Sequence, residues 1–580
     1  MSTVPATEIR EIPPGVPSLT RRWRQLLADC GLEADFTPDY TCALADADDR
    51  LLGAASLCGN IIKGVAIDER LRGTDAAPRL LTAVRDEGLR RGHANLFLFT
   101  KPQYRDMFAS MAFHTVGSGD GAVLLESRRS GLTSYLDYLR TLSRGTRNGV
   151  IVMNVNPLTL GHLHLIRTAA ASVDRLTVIP VADNPANRFS YTERTEMLRS
   201  ATAGLDDVCI ARGSDYVISA STFPTYFIKS LTDRAEAHIS LDLDIFCRHI
   251  APALGATVRF AGTEPSDPLT ALYNTKMRDC LPAAGIDFIE IDRLADAGGH
   301  HISASAVRAC LDHGPLTDAL ALVPDTTVPY LLGHAAADAL LAELDLTPKP
   351  GLVDRDNNGA HTDMDYQLML RSILTLRPWF VRLCALAMRR ELPDAALLAP
   401  CGIEAESQML EATGGVNTHR GALFSLGLTI CAAAWLHHNR RDIRAGLRPT
   451  IAAIAATYPE ANGTHGRAVA ERFGIPTALQ TARDGYAPLF DEWLTEPDAY
   501  RRLLRIVASL PDSNLYYRGG REGAEYARMR CGTLLRSGAD SDALRELDAD
   551  FTSRNLSPGG AADMLALSFL ADKLIKTSIT

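Results

Sequence analysis

The chain has 580 residues, 46% hydrophobic and 22% charged, with a formal net charge of −9. That length implies three or four domains of an ordinary soluble globular kind, and the acidic balance gives no reason to expect nucleic-acid binding. No window approaches the ~20 uninterrupted apolar residues of a membrane span and no basic-then-apolar leader opens the chain; eleven scattered cysteines, odd in number and never in C-x-x-C pairs, predict reduced thiols in a cytoplasm, with neither a disulfide framework nor a zinc site.

Residues 1–128 read as a small α/β unit. Strands are predicted from Leu51 to Leu57, Ile61 to Ile67 and Asn95 to Phe99, with an amphipathic helix from Pro78 to Arg91. The pattern resembles the GNAT N-acetyltransferase fold, whose glycine-rich loop before the main helix binds the pyrophosphate of acetyl-CoA. Here that loop reads Arg72-Gly-Thr-Asp-Ala-Ala77. Asp75 sets a negative side chain where the fold wants glycine, so carrier docking or scaffolding is expected of this unit in place of CoA binding. Residues 129–148, basic and polar around a short helix from Leu132 to Leu142, read as a linker.

Residues 149–322 alternate strand and helix. Gly149-Val-Ile-Val-Met153 is an unbroken apolar run, as in a parallel strand buried on both faces. Asn154 to Leu160 form a polar turn whose backbone Pro157 restrains. Gly161-His162 then open a helix with apolar positions at Leu163, Ile166, Ala170 and Val173. Strand, tight turn and helix N-terminus make an anion site, because free N–H groups and the positive helix end meet there. Further strands are predicted at Arg175 to Val181, Val208 to Ala211, Ala237 to Leu241, Thr257 to Ala261 and Phe288 to Ile291, giving a doubly wound parallel sheet. Three later stretches are polar where a core would not require it. Arg194 offers a cation early in a helix, Gly262-Thr263-Glu264-Pro265 follow a buried strand, and Ser303 or Ser305 can cap a helix carrying Arg308 one turn in.

The set Asn156-Pro157, Thr159 and Gly161-His162 resembles the T-x-G-H signature of the nucleotidyltransferase superfamily. Residues 1 to about 320 resemble the citrate lyase ligase family, through Met153-Asn-Val-Asn-Pro-Leu-Thr-Leu-Gly-His162, Leu241-Asp-Leu-Asp-Ile-Phe-Cys-Arg-His-Ile-Ala-Pro-Ala-Leu254, Gly262-Thr-Glu-Pro265 and Ile302-Ser-Ala-Ser-Ala-Val-Arg308. The resemblance implies that acetate and ATP acetylate the prosthetic-group thiol of the citrate lyase acyl-carrier subunit, through acetyl adenylate, with release of AMP and pyrophosphate. It implies catalytic roles for His162, Thr159 and Arg308. Nucleotide contacts would come from Asn154, Asn156, Gly161, Arg194, Gly262, Thr263, Glu264, Ser303 and Ser305. The alternative on the same fold is adenylylation of a phosphorylated small molecule.

Residues 323–329, with two prolines and no periodicity, read as a second linker. Beyond them residues 330–580 read as all-α, with helices predicted at Tyr330 to Leu344, Tyr366 to Arg390, Gly421 to His438, Pro497 to Ser509 (Pro497 at the first helical position), Arg521 to Leu535 and Ala561 to Lys576. Four loops carry glycines together with acids or bases: 347–365, 414–421, 512–520 and 557–563. Four such loops are more than helix capping requires. They resemble the triphosphoribosyl-dephospho-CoA synthase family at Pro348-Lys-Pro-Gly-Leu-Val-Asp-Arg355, Gly359-Ala-His-Thr-Asp-Met364, Gly415-Val-Asn-Thr-His-Arg-Gly421, Asp512-Ser-Asn514 and Ser557-Pro-Gly-Gly-Ala-Ala-Asp563.

That resemblance implies transfer of the triphosphoribosyl group of ATP to the ribose 2′-hydroxyl of dephospho-CoA, with loss of adenine. Magnesium would neutralise the triphosphate, with Asp354, Asp363 and Asp563 as its expected ligands. His361, His419 and Asp512 are the candidates for base and acid, their roles unassigned. Lys349, Arg355, Arg420 and Arg518 would hold phosphates. The competing expectation is a non-catalytic helical binding or regulatory module.

Overall fold

The computed structural model describes residues 5–182, 186–217, 231–264, 267–296, 298–460, 465–538 and 540–576. Two compact units emerge: Met1–Asn156 with Gly161–His301, and Pro157–Leu160 with Ile302–Thr580. The first is α/β and the second mostly helical.

The first unit holds two sheets. One comprises β1 (Glu8–Glu11), β2 (Tyr40–Ala45), β3 (Leu51–Cys58), β4 (Ile61–Ile67), β5 (Phe97–Thr100), β6 (His114–Gly119) and β7 (Ala122–Glu126), in the order β1-β2-β3-β4-β5-β7-β6. Its neighbours are antiparallel except β4 and β5, which pair in parallel only at Ile61↔Phe97 and Ile62↔Leu98. The Ala76–Arg90 helix supplies the crossover that a parallel pair needs and buries Leu80, Leu81 and Val84. Asp75 is its N-cap residue but makes no side-chain cap hydrogen bond.

The other sheet is wholly parallel: β8 (Asn148–Met153), β9 (Arg175–Pro180), β10 (Val208–Ile210), β11 (Ala256–Gly262) and β12 (Asp287–Ile291), ordered β10-β9-β8-β11-β12. The two sheets share one apolar core, in which Phe97, Val116 and Leu124 join Val150, Ile179 and Leu241. The expected linker contributes to it, because Leu136 and Leu139 of the Gly131–Arg140 helix are buried there.

One predicted strand is a helix. Ala237 to Leu241 lies inside the Leu231–Ile245 helix. Its apolar residues Ile239, Leu241, Leu243 and Ile245 alternate with Ser240, Asp242 and Asp244, which mimics a strand period. The helix is buried on several sides, so the usual helical stripe is absent. It lies over edge strand β6, where Leu241 and Ile245 occupy the space that side chains at Gly119 and Gly117 would need. Asp244 and Ser240 accept the N–H groups of Ser118 (2.9 Å) and Asp120 (3.0 Å). The edge is thereby covered.

In the second unit the Arg420–His438 and Gly559–Ile575 helices are apolar nearly all round and sit in the bundle core. Arg420–His438 is, among the described residues, the one helix long and apolar enough to cross a membrane, and most of it is buried in the bundle. Pro497 is not in a helix: Asp498 caps Ala499–Ser509, its carboxylate accepting the N–H of Arg501. The helix predicted from Arg521 begins at Ser513 and runs to Ser537 across a break at Gly520 (φ 62°, ψ −163°), a conformation open to glycine. Helices Ala395–Ala412 and Ile443–Ala456, each with a proline inside it (Pro400 and Pro449), were not predicted.

Candidate active sites

The α/β site forms where the chain runs outward from β8 through β9 to β10, then returns to β11 and β12 on the other side. Ligands of open parallel sheets bind at the carboxyl ends of the strands beside such a reversal. At the end of β8, Asn154 Oδ1 accepts from Arg194 (3.0 Å), and Arg194 also donates to the carbonyls of Val181 (3.0 Å) and Ala182 (3.2 Å) just beyond β9. Arg194 belongs to the Tyr191–Thr202 helix, started by a capping box of Ser190 and Glu193. It is 0% exposed. It therefore braces the strand ends, which differs from the expected open cation.

Asn156, also buried, accepts the N–H of Phe189 (3.1 Å) and donates to Asn187 (3.1 Å), which also receives Asn154 Nδ2 (3.3 Å). His162 sits half-buried in the first turn of the Leu160–Ala170 helix, with Gly161 before it. That helix buries Leu163, Ile166 and Ala169, while Ala170 and Val173 are only half-buried. Thr159 is buried.

Beyond β11, Thr263 receives two bonds from Arg293, at its carbonyl (2.7 Å) and its hydroxyl (3.3 Å). Glu264 pairs with the same guanidinium and accepts the N–H of Asp267. Gly262 accepts from Asn274 at 3.0 Å. Pro265 lies outside the described residues. Asn187 and Arg293 escaped the sequence reading; their only signal was a polar residue just past a strand. Ser303, Ser305 and Arg308 fall in the second compact unit. Ser303 caps the Ala304–His313 helix through the N–H of Ala306 (3.1 Å), and Arg308 donates to Ser305 (3.1 Å).

In the helical unit the glycine loops meet. Arg518 donates to the Ala360 carbonyl (2.7 Å), to Asn555 (2.7 Å) and to His361 Nδ1 (3.2 Å). His361 Nε2 lies 2.8 Å from Ser557 Oγ. Since Nδ1 accepts from a guanidinium, Nε2 carries the ring proton and donates to the serine. Burial and then the Arg518 charge hold this imidazole below its ordinary pKa, against a smaller opposing effect of Asp363.

Asp512 caps the Ser513–Ser537 helix, accepting from Asn514 (2.8 Å), and its other oxygen takes the N–H of Ala561 (2.8 Å) at the start of the last helix. With both oxygens engaged it clamps two helix starts together. Burial raises it to about 6 despite these bonds. Asp563 accepts the N–H of Ala422, and burial, then the charges of Asp512 and Glu343, push its carboxyl far above the usual range. Gly421 is required there, because any side chain at 421 would strike the Asp563 carboxylate.

The remaining candidates divide. Lys349, 1% exposed, pairs with buried Glu343. Asp354 shapes its own loop by accepting the N–H groups of Lys349 (2.8 Å), Asp356 (2.8 Å) and Asn357 (3.1 Å). Asp363 is exposed, 3.5 Å from His361. Arg355 pairs with Asp345 at 2.8 Å and lies over the Tyr366 ring, and Arg420 pairs with Glu406. His419 is buried; its Nδ1 lies 2.8 Å from Ser372 Oγ. Glu343, Ser372, Ser557 and Asp548 (which accepts from Gly351 and Asn357) were not among the predicted residues. Glu343 and Ser372 look like ordinary interior helix positions in the sequence.

For a divalent cation the fit is partial. The charges of buried Asp512 and Glu343 act on Asp563, and among the described residues Glu343 of these three is paired with a cation, Lys349. Asp563 therefore suits a cation, whereas Asp354 is engaged by backbone and Asp363 stands in solvent. Among the described residues no three His, Cys, Asp or Glu side chains are grouped to hold a metal ion. A bound ion would complete its shell with substrate oxygens and water.

The family model described as the citrate lyase ligase C-terminal domain matches residues 148–331, and that of ATP:dephospho-CoA triphosphoribosyl transferase matches residues 329–579. A citrate (pro-3S)-lyase ligase of Klebsiella pneumoniae is 38% identical over 301 residues, covering 51% of this chain and 87% of that protein. One from Haemophilus influenzae is 39% identical over 307 residues, covering 52% and 91%. A 2-(5″-triphosphoribosyl)-3′-dephosphocoenzyme-A synthase of Pectobacterium atrosepticum is 37% identical over 263 residues, covering 41% of this chain and 87% of that protein.

Proposed function

The chain belongs to the citrate lyase ligase family by its first half and to the triphosphoribosyl-dephospho-CoA synthase family by its second, and from that premise we propose one bifunctional enzyme that serves citrate lyase twice. The helical half makes the precursor of the prosthetic group, and the α/β half charges the finished thiol with acetate. The observation that carries the reading is the meeting of the four glycine loops, joined by Arg518–His361–Ser557, by Asp512–Ala561 and by Gly421 packed against Asp563. A scaffold has no need to gather Asp512, Asp563, His361 and His419 where its loops come together.

In the α/β half an acetate oxygen attacks the α-phosphorus of ATP and pyrophosphate leaves. The thiol of the acyl-carrier subunit then takes the acetyl group and AMP leaves. No protein nucleophile is needed. His162 and the helix N-terminus it sits on donate to the phosphate oxygens where charge builds. Gly161 leaves the backbone of that helix start open to a phosphate. Asn154 and Asn156 contact the nucleotide from a network braced by Arg194, and Gly262, Thr263 and Glu264 line the far strand end.

In the helical half the 2′-hydroxyl of dephospho-CoA replaces adenine at the ribose carbon of ATP. Magnesium, held by Asp563, would supply the neutralising charge that lets a second anionic substrate approach. Arg518 and His361 act together on phosphate or ribose oxygens, and Arg355 and Arg420, exposed and paired with half-buried acids, exchange those partners for phosphate.

Two assays test the halves separately. ATP, acetate and hydroxylamine should give acetyl-hydroxamate with AMP; transfer only to a phosphorylated acceptor would replace the ligase reading with an adenylyltransferase. ATP with dephospho-CoA should release free adenine, and adenine release independent of dephospho-CoA, or none, would overturn the second activity.

A further inference from the structure

The inference concerns His419 and rests on the reading of the helical half as a triphosphoribosyl transferase. Ser372, on the Tyr366–Ala387 helix, is wholly buried. Its Oγ lies 2.8 Å from His419 Nδ1, and the same oxygen accepts a hydrogen bond from Thr418 Oγ1 at 2.7 Å. This order of partners assigns the protons. A serine hydroxyl carries one proton, and Ser372 has no other acceptor among the described residues, so that proton goes to Nδ1. Were Nδ1 the donor, Ser372 would receive two protons and leave its own buried without an acceptor.

With Nδ1 accepting, the neutral ring carries its proton on Nε2. Burial, together with the nearby Lys349 charge, keeps the ring neutral by lowering it to about 3. Nε2 is itself buried and has no partner among the described residues. A buried N–H with its orientation set and nothing to bond to is an address for a ligand atom.

We propose that Ser372 and Thr418 are positioning residues that hold His419 as an Nε2–H donor to an acceptor atom of the bound nucleotide, and that His419 is therefore not the base for the incoming hydroxyl. The acceptor is either a triphosphate oxygen or a ring nitrogen of the departing adenine. Both are hydrogen-bond acceptors, and the ligand arms below tell them apart.

The test uses the full chain, with 15N-labelled histidine and the His419 signal assigned by its loss in His419→Gln. The wild type should show the proton on Nε2. Ser372→Ala should let the Nδ1–H form appear and lower kcat for adenine release at least tenfold. Ser372→Thr, which keeps the hydroxyl, should restore both. Thr418→Val, which frees the Ser372 oxygen, should show a mixed tautomer and an intermediate kcat. Weaker inhibition of Ser372→Ala by inorganic tripolyphosphate would assign the acceptor to phosphate. Weaker inhibition by adenine, with tripolyphosphate unchanged, would assign it to the base.

A wild-type Nδ1–H tautomer overturns the proposal. So does equal loss of kcat in Ser372→Ala and Ser372→Thr, which would mean packing alone. If the wild type releases no adenine, the functional reading fails while the tautomer measurement still judges the relay.

Discussion

At the ends of β8, β9 and β11 the polar groups are amides and hydroxyls, with two guanidiniums, Arg194 and Arg293, tied to backbone carbonyls, and one carboxylate, Glu264, paired with Arg293. In the helical half the polar groups are buried carboxylates, two histidines and a lysine, many with displaced pKa values. The first arrangement recruits backbone N–H groups and a helix end, and asks side chains mainly to keep them in place. The second brings acidic groups together in a poorly solvated interior, at a cost that proton uptake, ligands or cations offset. Nucleotide handling can thus rest on preorganised dipoles or on stored electrostatic tension. The two halves should fail differently when perturbed.

The sharpest break in the comparison should come from Lys349→Met. Removing the cation leaves Glu343 buried and unpaired, an expected loss of about 3–5 kcal/mol in the helical unit. A urea titration should show that transition moving alone, with hydroxamate formation intact; an unmoved midpoint would mean Glu343 is protonated and the charge tension is absent. In the α/β half, His162→Ala should leave both unfolding transitions in place and cut hydroxamate formation by about 10²–10³, the usual effect of losing one donor to developing charge. Adenine release should not change, and a loss of both activities would refute separate sites.

A smaller effect is expected of Arg518→Lys. Lysine keeps the charge but cannot reach Ala360, Asn555 and His361 together, so adenine release should fall about tenfold, as expected for lost charge-assisted bonds.

The weakest effect is in pH dependence. Asp512 is raised to about 6 when folded, above its unfolded value of about 3.9. The stability it contributes is present below about pH 4 and lost as pH rises through about 6. His419 is lowered to about 3, so its contribution is present above about pH 6.5 and lost as pH falls toward 3. Melting temperature against pH should therefore lose part of its alkaline slope in Asp512→Asn and part of its acid slope in His419→Gln. Parallel curves for wild type and variants would deny both shifts.

Much of the fold could be read from residue patterns because its signals are local. Apolar runs such as Gly149 to Met153 became parallel strands, and the turn into Gly161-His162 became a helix start, since strand burial and helix entry depend on near neighbours. The misread strand has a physical source. Ile239 to Ile245 alternates like a strand, yet burial in the shared core outweighed that local preference.

By itself the sequence determined the two halves, the residue types each chemistry needs and the loops that carry them. Only the tertiary structure decided which of those residues remain open to chemistry. Arg194 became a brace, Asp354 a loop former and Asp512 a clamp once backbone groups claimed their polar atoms. Glu343 and Ser372, unremarked in the sequence, came to stand against Lys349 and His419. Hydrogen-bond partners and neighbouring charges far apart along the chain exist only after packing, and they set the protonation and availability of a side chain.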